Sequence, residues 1–431
     1  MTTTTTTTTA HPLLIVGDNP AGTSGLGRLH RELAQRIHAH LGDQFEVASL
    51  TIGPGERSAA LPWPQFSSPR IDNSDPTVGI IIPELTDVIR LFAGRERVTL
   101  LYLGNAIWTR WLANPSLLAP EFADLRRMLT SGLGGTRPFN LWGHFPVDST
   151  GPGGVLSRQE TSTIACFDRA AAYTAWGGQV IDRSLATHLG VVNSTPWLAL
   201  GTDTAVWRPR DRAEARRTFI SRVTRGQHGW AVSDDTLLLN IVATNSARKD
   251  WPLGIETASI LRARGHKVML WMHADRTVGA WNLPQLAEQF GVDDCSLVTL
   301  SRLSDEEMAG ALSACDVSLG VASGGGWEYA MSESLACNCP VITGNYAGVT
   351  QFVPPFMRVE PVAWRVDGAW GTRRPVFDAG EWVERIEHLL KSPRAGELAK
   401  SMGRKSLLPE RYSWDECWPA WEAWLRGGLT I

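Results

Sequence analysis

Two stretches hold the residue types that handle anions and hydroxyls. Asn245-Ser246-Ala247-Arg248-Lys249-Asp250 sets a guanidinium beside an ammonium, directly after an apolar run and before a helical one. Such a pair can neutralise a diphosphate, Arg as a planar fork and Lys as a mobile point charge. It would stabilise the charge on a departing phosphate as a bond to it breaks. Solvated surface charge is the alternative use. The second stretch, Gly324-Gly325-Gly326-Trp327-Glu328-Tyr329-Ala330-Met331-Ser332-Glu333, joins a glycine turn to a short helix carrying two carboxylates. The apolar strand that follows places those polar groups at the C-terminal edge of a parallel sheet, where open α/β proteins take ligands. Glu333, within the helix, can face a ribose or sugar hydroxyl. Glu328 stands at the helix start, where exposed backbone amides favour a carboxylate in any case.

Further candidates lie in the first half. Gly25-Leu26-Gly27-Arg28 opens a helix after a strand, so its backbone donors can approach an anionic or hydroxyl-rich ligand. The spacing is not G-x-G-x-x-G, which counts against a nicotinamide-dependent oxidoreductase, and plain tight-turn use stays open. His144 follows the run Phe139 to Trp142, and a neutral imidazole there could accept or orient a hydroxyl proton. A hydrogen-bonded structural histidine is the rival. Asp148 is its candidate carboxylate partner, or a cap for the following turn.

The elements that must position these groups alternate in two series. Strand-like runs are Leu13 to Val16, Phe45 to Leu50, Val78 to Ile82, Val98 to Leu103 and Phe139 to Trp142, with a helix from about Leu29 to Leu41. Segments near Thr163 to Phe167 and Trp197 to Leu200 complete a first α/β unit. The second series places strands at Leu237 to Ala243, His266 to Trp271, Ser296 to Leu300, Val317 to Val321 and Val341 to Thr343. Helices lie between them, near Leu253 to Arg264 and Leu283 to Phe290, then at Asp305 to Ser313 and Glu328 to Ala336. This rhythm predicts parallel doubly wound sheets. The expected division is a disordered threonine-rich tail over 1–10, a domain over 11–200, a second over 201–405, and a terminal helical segment over 406–431 that crosses back to the first. Trp414, Trp418, Trp421 and Trp424 fall on one face of that last helix.

At 431 residues the chain exceeds what one core usually supports, so two domains are expected. Forty-one Lys+Arg against 44 Asp+Glu give a net charge of -3, which excludes a broad positive field for holding nucleic acid by charge alone. No run approaches a membrane span, and no basic flank with an apolar core marks a secretory leader. The six cysteines lack metal-knuckle spacing, and Cys337 and Cys339 read as small buried hydrophobes. A reducing, cytoplasmic setting is expected, or a host's cytoplasm if the chain is phage-encoded.

In ordered fragments from Gly22 to about Val353 the chain resembles the retaining nucleotide-sugar glycosyltransferases of group 1 type. The fragments are Ser24-Gly25-Leu26-Gly27-Arg28, Gly201-Thr202-Asp203-Thr204-Ala205-Val206-Trp207-Arg208-Pro209, Asn245 with Arg248-Lys249, Asp316, and the glycine-run segment. The resemblance implies two Rossmann-like domains facing across a cleft, the GT-B arrangement, with the C-terminal helices packing back on the first. It implies that Arg248 and Lys249 meet the pyrophosphate of a UDP- or GDP-sugar donor. Glu333 would hold the donor ribose, and amides after the triple glycine, at Gly325, Gly326 and Trp327, would lie near sugar and phosphate. His144 matches the family's histidine. The family's first motif glutamate falls on Gly325, a departure for which Glu328 is the nearby substitute. The implied reaction moves a hexose or pentose to an acceptor hydroxyl with retention, without a permanent cofactor or required metal. DNA carrying a modified base, a protein side chain, a lipid-linked glycan and a small metabolite are the acceptor classes left open, with the chain a monomer or homodimer. A noncatalytic nucleotide-sugar or glycan-binding protein is the alternative.

Overall fold

Val98-Thr99-Leu100-Leu101-Tyr102-Leu103 is buried along its whole length, as a strand covered on both faces must be. It is central to the first of two compact units, Met1–Leu198 and Ala199–Ile431, into which the chain divides. The computed structural model describes residues 10–22, 24–52, 61–68, 71–72, 80–82, 84–93, 97–130, 139–223, 232–233, 235–300, 302–368, 371–407 and 411–429. The threonine-rich tail expected over 1–10 falls, apart from Ala10, outside them.

In chain order the first unit contains β1 (His11–Gly17), β2 (Phe45–Ile52), β3 (Gln65–Ser68), β4 (Ile71–Asp72), β5 (Ile80–Ile81), β6 (Val98–Leu103), β7 (Phe139–Phe145) and β8 (Arg169–Ala172). Six form one parallel sheet in the order β3-β2-β1-β6-β7-β8. The short pair β4–β5 is antiparallel and separate, so the strand expected over Val78 to Ile82 is reduced to two residues, with 73–79 outside the description. Helix Gly25–His40 begins ahead of the expected Leu29. The Ser24 hydroxyl accepts from Gly27 N at 2.9 Å, a cap that holds a first turn of poor helix formers, and Leu29, Leu33, Ala34 and Ile37 bury one face. The segment near Thr163 ends a helix, Arg158–Ile164, started by a capping box between Ser157 and Glu160, and the edge strand follows at β8.

The second unit contains β9 (Leu237–Val242), β10 (Val268–His273), β11 (Ser296–Thr299), β12 (Val317–Gly320), β13 (Val341–Gly344), β14 (Arg358–Val359), β15 (Ala363–Asp367) and β16 (Thr372–Val376). Its parallel sheet runs β11-β10-β9-β12-β13-β14, and β15–β16 is a separate hairpin. Both sheets therefore repeat one doubly wound order, with the direction of winding reversing between β1 and β6 and again between β9 and β12. The two Rossmann-like units expected from the alternation are present. Asp316 anchors the entry to β12: its Oδ2 accepts from Leu238 N at 2.8 Å and from the buried Arg216 at 2.6 Å. Cys315, Cys337 and Cys339 are buried free thiols, and burial pushes the Cys337 thiol up to about 12, so these are packing groups rather than nucleophiles. The helix Trp414–Gly427 buries all four indoles of its face, and Trp421 Nε1 donates to Ala199 O at 3.0 Å. Among the described residues no helix is long and apolar enough to cross a membrane.

Candidate functional site

The reversal of winding between β9 and β12 leaves the loops that follow these strands side by side, with no helix crossing between them. A short antiparallel bridge, Lys249 to Ala322, zips them together. Asp250 N donates to Val321 O at 2.9 Å, and Ser323 donates to Arg248 O through both its N–H and its hydroxyl at 2.9 Å each. The basic pair of one loop is thereby held against the glycine run of the other. Arg248 Nη1 donates to Gly324 O at 2.9 Å and pairs with Glu328 Oε1 at 2.7 Å. Lys249 Nζ, on a side chain only 6% exposed, pairs with Glu328 Oε2.

Glu328 does not take the helix-start role that was open to it. It precedes the helix Tyr329–Ala336, but its side chain makes no cap hydrogen bond. Its backbone is left-handed, at φ 70° and ψ 78°, a conformation costing a non-glycine residue about 1–3 kcal/mol unless its surroundings hold it. Here the two cations hold it. Burial works to raise its pKa, but Lys249 and Arg248 outweigh that and hold the carboxyl at about 2, so it is ionised at neutral pH. The carboxylate also fills the space where a residue at 325 would carry its side chain. An ideal Cβ on Gly325 would stand 2.7 Å from Glu328 Cδ and 2.8 Å from Cγ, closer than real Cβ atoms approach. Behind this turn Gly348 N donates to Gly325 O at 2.9 Å, beside Ala347 at φ 63°.

The other expected residues of this unit have distinct surroundings. Asn245 directs its amide inward: Nδ2 donates to the carbonyls of Arg276, Thr277 and Trp281, and Oδ1 accepts from Trp281 N at 3.0 Å. It thus clamps the loop after β10. Trp327 packs its buried ring against Phe352 at 4.7 Å and Tyr412 at 5.3 Å, leaving its backbone, not its indole, to line the turn with Gly326. Glu333 is buried on the helix Tyr329–Ala336. Two neighbours were not anticipated. Trp281 lies along the basic loop with Nε1 donating to Lys249 O at 2.8 Å, and Arg374 of β16 donates to Ser323 O at 3.3 Å. The lone Trp281 in a polar stretch and the Arg373-Arg374 doublet were the available signals.

In the first unit, Gly25 to Gly27 form the first turn of a helix at the C-terminal end of β1. Gly27 comes so close to the Asn19 carbonyl, with 3.3 Å from an ideal Cβ to Asn19 C, that no larger residue fits. Its N–H is taken by Ser24, whose hydroxyl in turn donates to Asp18 at 2.7 Å. His144, next to last in β7, is fully buried, with Nε2 donating to Leu198 O at 2.9 Å and the ring against Tyr173 at 4.2 Å. Burial pushes its pKa down to about 3, against the pull of the Leu198 and Ala172 backbone, so the ring is neutral at pH 7. Asp148 is half-buried in the loop beyond.

No family model matches the chain, and no curated protein matches it. Solved structures do. Sucrose-phosphate synthase from Thermosynechococcus elongatus is similar at a TM-score of 0.69 and 15% identity over 97% of this chain and 99% of that one. Anabaena HepE, solved in complex with UDP and glucose, is similar at 0.68 and 10% over 97% and 100%. A glycosyltransferase from Rickettsia africae gives 0.59 and 12% over 98% and 97%. The fold is GT-B. At such identities the likeness concerns the fold, and in this GT-B chain the winding reversal of the second unit is where Arg248, Lys249 and Glu328 meet.

Proposed function

We propose that this chain is a glycosyltransferase that moves a sugar from a nucleoside diphosphate sugar, UDP- or GDP-linked, to an acceptor hydroxyl with retention. The observation that carries the reading is the convergence of Arg248 and Lys249 on the glycine turn at the winding reversal of the second sheet. Support comes from the fold, since one solved structure of the same fold holds UDP and glucose. The donor's phosphates take the two cations, Glu333 turns to the ribose, and the backbone of Gly325, Gly326 and Trp327 borders sugar and phosphate.

In the reaction the C–O bond between sugar and diphosphate breaks, and a C–O bond to the acceptor oxygen forms on the face just vacated. The acceptor's proton passes to a diphosphate oxygen, and the nucleoside diphosphate leaves. Arg248 and Lys249 stabilise the charge that grows on the leaving group. The amides of Gly25 and Leu26 offer donors to anionic or hydroxyl groups. His144 is a positioning residue, a neutral buried ring bonded to the Leu198 carbonyl. The acceptor is a hydroxyl of DNA, a protein or a glycan.

The test is a thermal-shift panel of UDP, GDP and their sugars, followed by mass analysis of candidate acceptors incubated with the donor that binds. A shift with one donor series and a product heavier by one sugar is the expected result. Absence of any donor binding removes the reading, and binding without turnover leaves a noncatalytic nucleotide-sugar-binding protein.

A further inference from the structure

Two cations and one carboxylate form an unequal set at the glycine turn. Glu328 gives one oxygen to each cation, Oε1 to Arg248 and Oε2 to Lys249, which is how two oxygens of a phosphate would be shared. The carboxylate reaches that place from a left-handed backbone and without capping its helix. It also fills the volume beside Gly325 that no side chain of the turn occupies. Among the described residues the two cations are the hydrogen-bond partners of this carboxylate, and its departure would open room against the turn.

We propose that Glu328 is a specificity-determining counter-anion: its carboxylate occupies the ligand phosphate's place on Arg248 and Lys249, and only a ligand with enough phosphate charge displaces it. The proposal rests on reading that pair as a diphosphate site. Displacement exchanges one carboxylate for a more highly charged group at the same cations, so a diphosphate gains where a monophosphate gains little. Glu328 thereby sets which nucleotides are admitted.

The experiment measures the binding of pyrophosphate, UMP and UDP to wild type, Glu328→Gln and Glu328→Gly by calorimetry. Gln removes the competing charge at nearly constant shape, and Gly suits the left-handed backbone, so the second variant keeps the test alive if the first folds poorly. Both variants are expected to bind pyrophosphate about tenfold more tightly than wild type, a difference of about 1.4 kcal/mol. UMP should gain by a comparable factor, which brings a monophosphate nearer to measurable binding. Unchanged or weaker pyrophosphate binding in a folded variant overturns the proposal, because a carboxylate that merely orders the cations would be missed by the ligand. If neither variant folds, hydrogen exchange on wild type decides. Met331 and Ser332 donate their N–H to Glu328 O, and saturating pyrophosphate should alter exchange at both amides. Binding with no such change overturns the proposal. The probe lacks a nucleoside and a sugar, so its failure is separable: tightening without binding of any nucleotide sugar removes only the glycosyltransferase reading, whereas sugar transfer without tightening removes only the counter-anion.

Discussion

Lys249 and Glu328, 79 residues apart in the chain, form an ion pair in which both side chains are nearly removed from water, at 6% and 12% exposure. Breaking such a pair from one side strands the other charge, at a cost of about 3–5 kcal/mol. Lys249→Ala should therefore lower the melting temperature as well as donor affinity. Arg248, a third exposed, should separate the two effects: Arg248→Ala leaves the melting temperature closer to wild type and weakens UDP binding about tenfold or more, the loss of a charge-assisted hydrogen bond. Calorimetry with UDP alongside thermal denaturation checks both.

Gly325 should not tolerate a side chain while Glu328 keeps its place. Gly325→Ala is expected to destabilise the second unit by about 1–3 kcal/mol through overpacking against the Glu328 carboxylate. The double exchange Gly325→Ala with Glu328→Gly removes the collision, so its loss of stability should be smaller than the sum of the single losses. A chemical-denaturation double-mutant cycle measures the coupling.

Acid should destabilise the first unit through its buried histidines. His30 is fully buried between Asp18 O and Ser49 Oγ, and burial holds its pKa at about 4 against the raising effect of the Asp18 hydrogen bond. With His144 at about 3, both rings stay neutral in the fold while the unfolded chain takes up their protons below pH 6.5. Stability is thus full above pH 6.5 and falls as the pH drops, levelling off near the folded values, with on the order of 3 kcal/mol at stake for His30. Denaturation midpoints from pH 7 to 4 should show this slope, and His30→Gln should flatten it. Glu328 adds a loss of the same sign in the second unit, beginning below 4.5 and complete below about 2.

Donor binding should survive removal of divalent ions, because the phosphates have two protein cations to meet. UDP titrations with and without a chelator are expected to give equal affinities. A large loss with the chelator would assign the phosphates to a metal instead.

Trp421→Ala should cost about 3–5 kcal/mol in the second unit, since the indole is fully buried and its N–H reaches Ala199 O. Tryptophan fluorescence through thermal unfolding reads the change.

The sheet of the second unit was legible because β9, β10 and β12 are apolar runs separated by helices of ordinary length. β3 was hidden in the first unit, where Gln-Phe-Ser-Ser offers one apolar residue. The hairpin β15–β16 was hidden for a related reason: the side chains of β15 are mostly exposed, and Trp364 is covered by Arg373, at 4.1 Å, instead of by a core. At the site, residue types pointed to Arg248, Lys249 and the glycine turn. The relation of Glu328 to Gly325 was out of reach, because it depends on a left-handed backbone angle that glutamate rarely adopts. The clamp made by Asn245 was equally hidden, since its partners lie on another loop.

The Lys249–Ala322 bridge has a consequence for how the protein matures. It exists only where β12 lies beside β9, so the site requires both halves of the second sheet. A ligand held there binds nothing that a partly folded chain can offer, so it acts as a selective brace for the finished unit. At a hundred times its dissociation constant such a ligand adds about 2.7 kcal/mol to stability. A nucleotide sugar, as the proposed ligand, would supply that brace.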